Sequence, residues 1–271
     1  MRTHLWKIAG VSLAALAALA CNPTTDTATT PTTTETAAPA APAAPDYAAA
    51  VAAADRSAED KERDAARKPA EVLAFSKVMT GQTVLEVEAG TGYYTALLSK
   101  VVGPTGKVIM QNPNFGPEFN AQIAKRNEGG RLTNVSSSQT MFDALEPADA
   151  TVDVVTWFQG PHELYYKPKE APAGFGDPVK AYAEAFRVLK PGGYFVIMDH
   201  AAAAGAPVTA GNDLHRIDPK LVKDAATAAG FTLEEESAIL ANAADDHTKG
   251  VFDDSIRHKT DQFLLRYKKP G

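Results

Sequence analysis

The sequence predicts an α/β fold, a doubly wound and mostly parallel sheet with helices on both faces. Apolar runs of strand length alternate along the chain with segments of helix length, which is typical of a parallel sheet with crossover helices. A turn with two glycines, residues 88–92, joins the first of these runs to a helix. Nucleotide-binding folds begin in this order of strand, turn and helix, so we expect a ligand site at the carboxyl ends of the strands.

Composition and charge exclude several classes of protein. A chain of 271 residues with 45% hydrophobic side chains can bury the core of one large domain or two small ones. Its 27 Lys and Arg against 33 Asp and Glu give a net charge of −6, which argues against a nucleic-acid partner. The single Cys excludes an internal disulfide framework and a zinc site built from several thiolates.

The amino terminus predicts export. Arg2 and Lys7 precede an uncharged, mostly apolar run, residues 8–20, that ends at Cys21. The run spans roughly 20 Å as a helix, less than the membrane core of about 30 Å, so residues 1–20 are predicted to be a removable signal peptide. The segment resembles a bacterial lipoprotein signal, which implies a lipid on Cys21 and, with Asn22 following, an outer-membrane protein facing the periplasm. The alternative is an ordinary secretory peptide.

Three further segments lead into the strands. Residues 21–46 consist almost entirely of Thr, Pro and Ala and are predicted to be a disordered tether, or else a low-complexity tail that spaces nothing. The folded domain is then residues 47–271. Residues 46–68 have the composition of one leading helix, and residues 70–78 predict a second helix with Pro69 in its first turn.

The remaining elements follow the strand and helix alternation. Strands are predicted at residues 83–87, 106–110, 152–158 and 194–198, and helices at residues 93–101 and 179–189. Residues 190–193, Lys-Pro-Gly-Gly, make a turn into the last of these strands. Gly90 and Gly92 allow the backbone to approach a ligand closely, and the helix after them presents free N–H groups to it.

The chain from about residue 56 to residue 270 resembles the class I S-adenosylmethionine-dependent methyltransferases, and within them a bacterial group of exported members. Four segments carry the resemblance: residues 84–95, residues 152–155 leading to Pro161-His162-Glu163, residues 187–193, and residues 229–231 with 260–264. The third, Arg-Val-Leu-Lys-Pro-Gly-Gly, is the most specific. The resemblance implies a seven-stranded, Rossmann-like sheet whose last strand, near residues 263–267, is antiparallel.

The resemblance also implies the cofactor, S-adenosylmethionine, and the residues that bind it. Its methionine and ribose portions would face Glu86 and the turn formed by Glu88, Ala89, Gly90, Thr91 and Gly92. Its ribose hydroxyls would meet Asn112, and its adenine would lie beside Phe142 and Asp143. The sequence departs from the family at Glu88, where the first turn glycine is expected, and at Asn112, where an acid is usual. Glu88 is then either a partner for the ammonium group of the cofactor or a solvated turn carboxylate.

Candidate catalytic residues follow the fourth and fifth strands. His162, Glu163 and His200 lie where strand ends face the ligand, and each could act as a base toward a poorly ionised acceptor. His215 is a weaker candidate, and for each His a purely structural role is the alternative. Asp199 and His200 point to opposite faces of a strand, so no metal site is predicted. Residues 164–178 form either a cover over the acceptor site or a rigid surface loop.

Two functions remain open from the sequence. The first is a lipid-anchored methyltransferase that acts on an unidentified, small-molecule acceptor at the cell envelope. The second is a catalytically inactive methyltransferase-like domain that binds a small ligand, which Glu88 and Asn112 favour. Gly90, Gly92, Asp143 and the complete 187–193 turn favour the enzyme.

Overall fold

The computed structural model of this chain describes residues 44–169 and 171–271. The predicted signal peptide, Cys21 and nearly all of the predicted tether therefore lie outside the described residues. None of the helices in the described part is long and apolar enough to cross a membrane.

The described elements alternate between helix and strand after a helical leader. The leader consists of α1 (Tyr47–Ala52), α2 (Ala58–Glu62), α3 (Asp64–Arg67) and α4 (Pro69–Ser76). There follow β1 (Thr83–Val87), α5 (Tyr93–Val102), β2 (Lys107–Asn112), α6 (Pro117–Arg126), β3 (Val135–Gln139) and β4 (Val152–Phe158). The second half contains α7 (Pro178–Val188), β5 (Leu189–His200), α8 (Ala210–Leu214), α9 (Pro219–Ala228), β6 (Thr232–Ser237) and β7 (Gln262–Lys268).

The seven strands form one sheet in the order β3-β2-β1-β4-β5-β7-β6. β1 to β5 are parallel to one another, and β7 runs antiparallel to both β5 and β6. This confirms the predicted fold class, including the antiparallel strand near the carboxyl terminus. The first five strands therefore end at a common edge, where the predicted ligand-binding and catalytic residues lie at or after the ends of all five.

Apolar side chains on both faces of the sheet explain why helices cover it on both sides. Leu85, Val155 and Ile197 belong to one core cluster, whereas their chain neighbours Val84, Val154 and Val196 belong to the other. Successive strand residues point to opposite faces, so an unbroken apolar run fits only a strand that is buried on both faces.

The single leading helix predicted for residues 46–68 is wrong, because that stretch folds as three short helices. Ser57 interrupts it by accepting a hydrogen bond from the backbone of Asp60 as the N-cap of α2. Lys68 ends α3 in the left-handed conformation, with φ 42°. The buried Arg56 guanidinium binds the carboxylate of Asp64, which draws the segment back on itself.

Candidate active site

The turn after β1 leaves open space above Gly90. Gly90 and Gly92 both have positive φ, 59° and 85°, and no atom comes within 4 Å of where a Cβ on Gly90 would lie. Asn112, at the end of β2, holds this turn from the side. Its Oδ1 accepts a hydrogen bond from Gly90 N at 2.9 Å, and its Nδ2 donates to Gly90 O at 3.2 Å. The amide that the resemblance assigns to the ribose is thus bonded to the turn itself.

The other members of the turn are fixed by the strand and helix beside it. Ala89 N donates to the backbone oxygen of Gln111, and the backbone oxygen of Thr91 accepts from Nε of Arg126. Arg126 in turn pairs with the buried Asp60 of α2. The rigid frame of the turn is therefore built by β2, α6 and the helical leader.

Glu86 lies inside the sheet and bonds inward to α5. The residue is 2% exposed, and its carboxyl group accepts a hydrogen bond from the hydroxyl of Thr95. Burial raises the pKa of Glu86 to about 8, against smaller opposing effects from Thr95 and Arg126. Near neutral pH this group is therefore largely protonated in the folded chain.

Glu88 occupies the position where the family has a glycine, and its side chain reaches toward β4. Its Oε2 lies 3.3 Å from Nε1 of Trp157, which donates to it. A Cβ added to Gly160 would lie 2.1 Å from the same oxygen, so Gly160 makes room for the carboxylate. Burial first, and repulsion from Glu163 second, raise the pKa of Glu88 well above its usual value. This side chain belongs to the site interior and is not a solvated turn carboxylate.

Phe142 and Asp143 contact residues 175–177 of the segment that precedes α7. Phe142 is buried against Trp157 and Phe175, with ring centroids 5.2 Å and 6.1 Å away. The backbone N–H of Asp177 donates to the carboxylate of Asp143 at 2.9 Å. Part of the predicted cover, residues 174–177, therefore packs over the pair assigned to the adenine.

The two predicted catalytic residues after β4 meet a third side chain. His162 and Glu163 lie on a 3-10 helix, Pro161–Tyr165, and His215 follows α8. Nε2 of His162 is 3.2 Å from Oε1 of Glu163, and Nδ1 of His215 is 3.2 Å from the same oxygen. The two ring nitrogens are 3.3 Å apart. We call His162, Glu163 and His215 the His-Glu-His cluster.

Asp199 at the end of β5 orients the first ring of the cluster. Its Oδ1 lies 2.8 Å from Nδ1 of His162, and its Oδ2 accepts the backbone N–H of His162 at 2.8 Å. Burial lowers the pKa of His162, but the carboxylates of Asp199 and Glu163 outweigh it and raise that pKa to about 10. The surroundings of His162 therefore favour positive charge at this ring.

His200 stands apart from the cluster. Its Nδ1 lies 2.8 Å from Oγ1 of Thr260, and its ring centroid is 6.2 Å from that of His162. Removal from solvent, with the charge of His162, holds the pKa of His200 well below its usual value. The structure thus brings His162 and Glu163 together and keeps His200 neutral beside them.

Sequence reasoning missed the importance of Asp199 and ranked His215 only as a weaker catalytic candidate. Asp199 was considered only as a possible metal ligand together with its neighbour His200. His215 is 52 residues from Glu163 along the chain, and no local pattern marks it as a partner. Tyr166 and Phe252 flank its ring at centroid distances of 4.6 Å and 5.0 Å, so an apolar wall borders the cluster.

Residues 79–244 match a family model described as a methyltransferase domain. The chain is 30% identical over 191 residues to the ubiquinone/menaquinone biosynthesis C-methyltransferase UbiE of Salmonella paratyphi B. That alignment covers 70% of this chain and 65% of the relative, so the chain spans slightly less than two thirds of the length of the curated relatives it matches.

Solved structures share the fold. A SAM dependent methyltransferase from Aquifex aeolicus superimposes with a TM-score of 0.55 at 22% identity, covering 78% of this chain and 97% of that one. CrArsM, an arsenic (III) S-adenosylmethionine methyltransferase from Chlamydomonas reinhardtii, gives 0.53 at 16% identity, covering 85% of this chain and 75% of that one.

Proposed function

We propose that this chain, which belongs to the S-adenosylmethionine-dependent methyltransferases, transfers a methyl group to a small-molecule acceptor. One observation carries the proposal: the turn at the end of β1 leaves the Cβ position of Gly90 open, and Glu88 of the same turn has a carboxyl group that is withdrawn from water. S-adenosylmethionine supplies an electrophilic methyl group on a sulfonium and also bears an ammonium group. The main chain and the charge of the site both suit such a ligand.

The main chain offers donors for the carboxylate of the methionine portion. α5 begins at Tyr93, and its N-cap Gly92 offers no side-chain cap, so the N–H groups of its first turn are available to an anion. Gly90 has no Cβ, and its positive φ disfavours any residue that has one, so the space above the turn stays free of a side chain. Gly90, Thr91 and Gly92 would hold the ligand through backbone atoms, as the resemblance implies.

The side chains offer negative charge for the sulfonium and ammonium. Both Glu86 and Glu88 have raised pKa values because they are withdrawn from water, so a cationic ligand beside them would favour their ionised forms. Asn112 would bind a ribose hydroxyl with the lone pair that Gly90 leaves on Oδ1. Phe142 and Asp143 would border the adenine, with Phe175 as a cover.

The acceptor is proposed to lie beside the His-Glu-His cluster. The cluster follows β4, one strand from the turn of β1, and methyl transfer needs acceptor and methyl group to be close and aligned. His162 and Glu163 supply the polar groups, while Tyr166 and Phe252 supply apolar contacts suited to a small, partly apolar acceptor. His200 would lie beside the acceptor as a neutral ring, oriented by its hydrogen bond with Thr260.

The protein is further proposed to act at the cell envelope, held by a lipid on Cys21. The basic residues before the apolar run 8–20 and the position of Cys21 at its end support this proposal. The absence of Asp after the Cys favours the outer membrane, facing the periplasm.

A second candidate function is the binding of a small ligand without methyl transfer. The two hydrogen bonds between Asn112 and Gly90 favour it, because they use both ends of the amide that the ribose would need. The two functions differ in whether a methyl group leaves the cofactor.

Methyl transfer is tested by incubating the full chain with S-adenosylmethionine labelled in its methyl group and a panel of small phenols, quinols, thiols and amines. The proposal expects a labelled product and S-adenosylhomocysteine. Gly90→Val should abolish the product, because the side chain fills the open space. Gly129→Val is the matched control, since Gly129 also has a positive φ and an open Cβ position, at 73°. Cofactor binding without any labelled product would favour the binding module instead.

A further inference from the structure

The geometry of the His-Glu-His cluster corresponds to three vertices of a tetrahedron around a metal ion. Its three atoms, Nε2 of His162, Oε1 of Glu163 and Nδ1 of His215, are separated by 3.2, 3.2 and 3.3 Å. Ligands at 2.0–2.1 Å from a tetrahedral zinc ion are about 3.3 Å from one another. The three interatomic distances agree with this requirement.

Asp199 leaves Nε2 of His162 available as a metal ligand. Its carboxylate accepts at Nδ1, so a ring that gives up its Nε2 proton keeps the other proton there and presents a lone pair at Nε2. A metal ion would take the place of that Nε2 proton, which otherwise donates to Glu163 at 3.2 Å. A cation at the centre of the three atoms would satisfy all of them.

The surroundings supply the second layer of a metal site. A histidine ligand commonly donates its other ring nitrogen to a carboxylate, and Asp199 fills this role for His162 at 2.8 Å. Asp199 is fully buried, whereas the side chain of His215 keeps 19% of its surface exposed, which gives an ion a route in. The carboxylates of Glu163 and Asp199 also place negative charge beside the two rings.

We propose that His162, Glu163 and His215 bind one divalent transition metal ion of the zinc type. Two imidazoles and one carboxylate are ligands that zinc prefers, and three protein ligands leave one position open, as in catalytic zinc sites. This departs from the expectation of no metal site, which considered only Asp199 and His200. The further idea that the acceptor binds the metal at its open coordination position rests on the proposed methyl transfer. Binding of the metal ion itself does not.

The test is titration of the purified full chain, freed of metal with a chelator, with Zn²⁺ in the absence of cofactor and acceptor. The wild-type chain should bind one equivalent, and Glu163→Gln and His215→Asn should weaken that binding about 100-fold or more. Asn suits the left-handed backbone of His215, with φ 52°, so this substitution keeps the local fold. His247→Asn is the matched control, because His247 also has a left-handed backbone, is partly buried and is paired with a carboxylate, that of Asp261.

Two results would overturn the proposal. One is no stoichiometric binding by the wild-type chain, which would leave a protonated His162 between Asp199 and Glu163. The other is equal binding by the wild type and both cluster variants, which would place the ion elsewhere. If either variant fails to fold by circular dichroism, Co²⁺ in the wild-type chain decides, because the intense visible bands of four-coordinate Co²⁺ are expected and their absence contradicts the site. Cofactor titration is separate, so either proposal can fail alone.

Discussion

Oδ1 of Asp199, at the end of β5, lies 2.8 Å from Nδ1 of His162, just beyond the end of β4. The same carboxylate accepts the backbone N–H groups of His162 and His200. One fully buried side chain thus joins the ends of two neighbouring strands and fixes the orientation of the ring that begins the His-Glu-His cluster.

Asp199→Asn should lower the free energy of unfolding by about 2 to 4 kcal/mol, because it removes a buried charged acceptor from three donors. Urea denaturation followed by circular dichroism measures the change. Asp224→Asn is the control, since Asp224 forms an exposed pair with Lys220 and should change stability by less than about 1 kcal/mol. Equal effects of the two substitutions would show that Asp199 does not hold the strand ends together.

Gly160→Ala should destabilise the chain by about 1 to 3 kcal/mol and displace Glu88. The added Cβ would lie 2.1 Å from Oε2 of Glu88 and 2.4 Å from Nε1 of Trp157. Thermal unfolding measures the loss, and a change in Trp fluorescence reports the displacement. In the control Gly250→Ala, the added Cβ meets no atom closer than 3.9 Å, so little change is expected. A melting curve of Gly160→Ala identical to that of the wild type would contradict this packing.

Glu86 should make stability fall as pH rises. Burial raises its pKa to about 8 from 4.5, so between these values the folded chain holds a proton that the unfolded chain has lost. Glu86→Gln imitates the neutral form, and its advantage over the wild type should grow from pH 5 to pH 8 and then level off, on the order of 2 to 5 kcal/mol. Urea unfolding across pH 5 to 9 measures this difference.

The exposed Glu118 is the control for Glu86. Glu118→Gln should leave the pH dependence of unfolding as it is in the wild type. A constant difference between wild type and Glu86→Gln from pH 5 to pH 9 would contradict a raised pKa at position 86.

Cys21→Ser should release the protein from the membrane if a lipid on Cys21 holds it. Expression of the wild type in a Gram-negative host that is fed a labelled fatty acid should give a labelled chain in the outer-membrane fraction. The variant should be unlabelled and should leave that fraction. A wild-type chain that is exported but unlabelled would instead indicate an ordinary secretory peptide.

The sequence was sufficient to predict the central strands and the helices α4, α5 and α7, because the apolar runs of β1, β4 and β5 are largely buried. It did not locate β3, β6, α6, α8 or α9. The break in the leader at Ser57 also had a sequence signal, a serine three residues before Asp60, that the Ala-rich composition outweighed. The pairing of His215 with Glu163 had no such signal. It depends on where β4 and α8 place two distant segments, which local pattern does not encode.

Calorimetric titration of the full chain with S-adenosylmethionine and S-adenosylhomocysteine tests the methyltransferase proposal most directly. Dissociation constants in the micromolar range are expected for both ligands, with a weaker value for Glu88→Gln, because its carboxylate is proposed to face the positive charge of the cofactor. No heat of binding at millimolar ligand would contradict a working cofactor site.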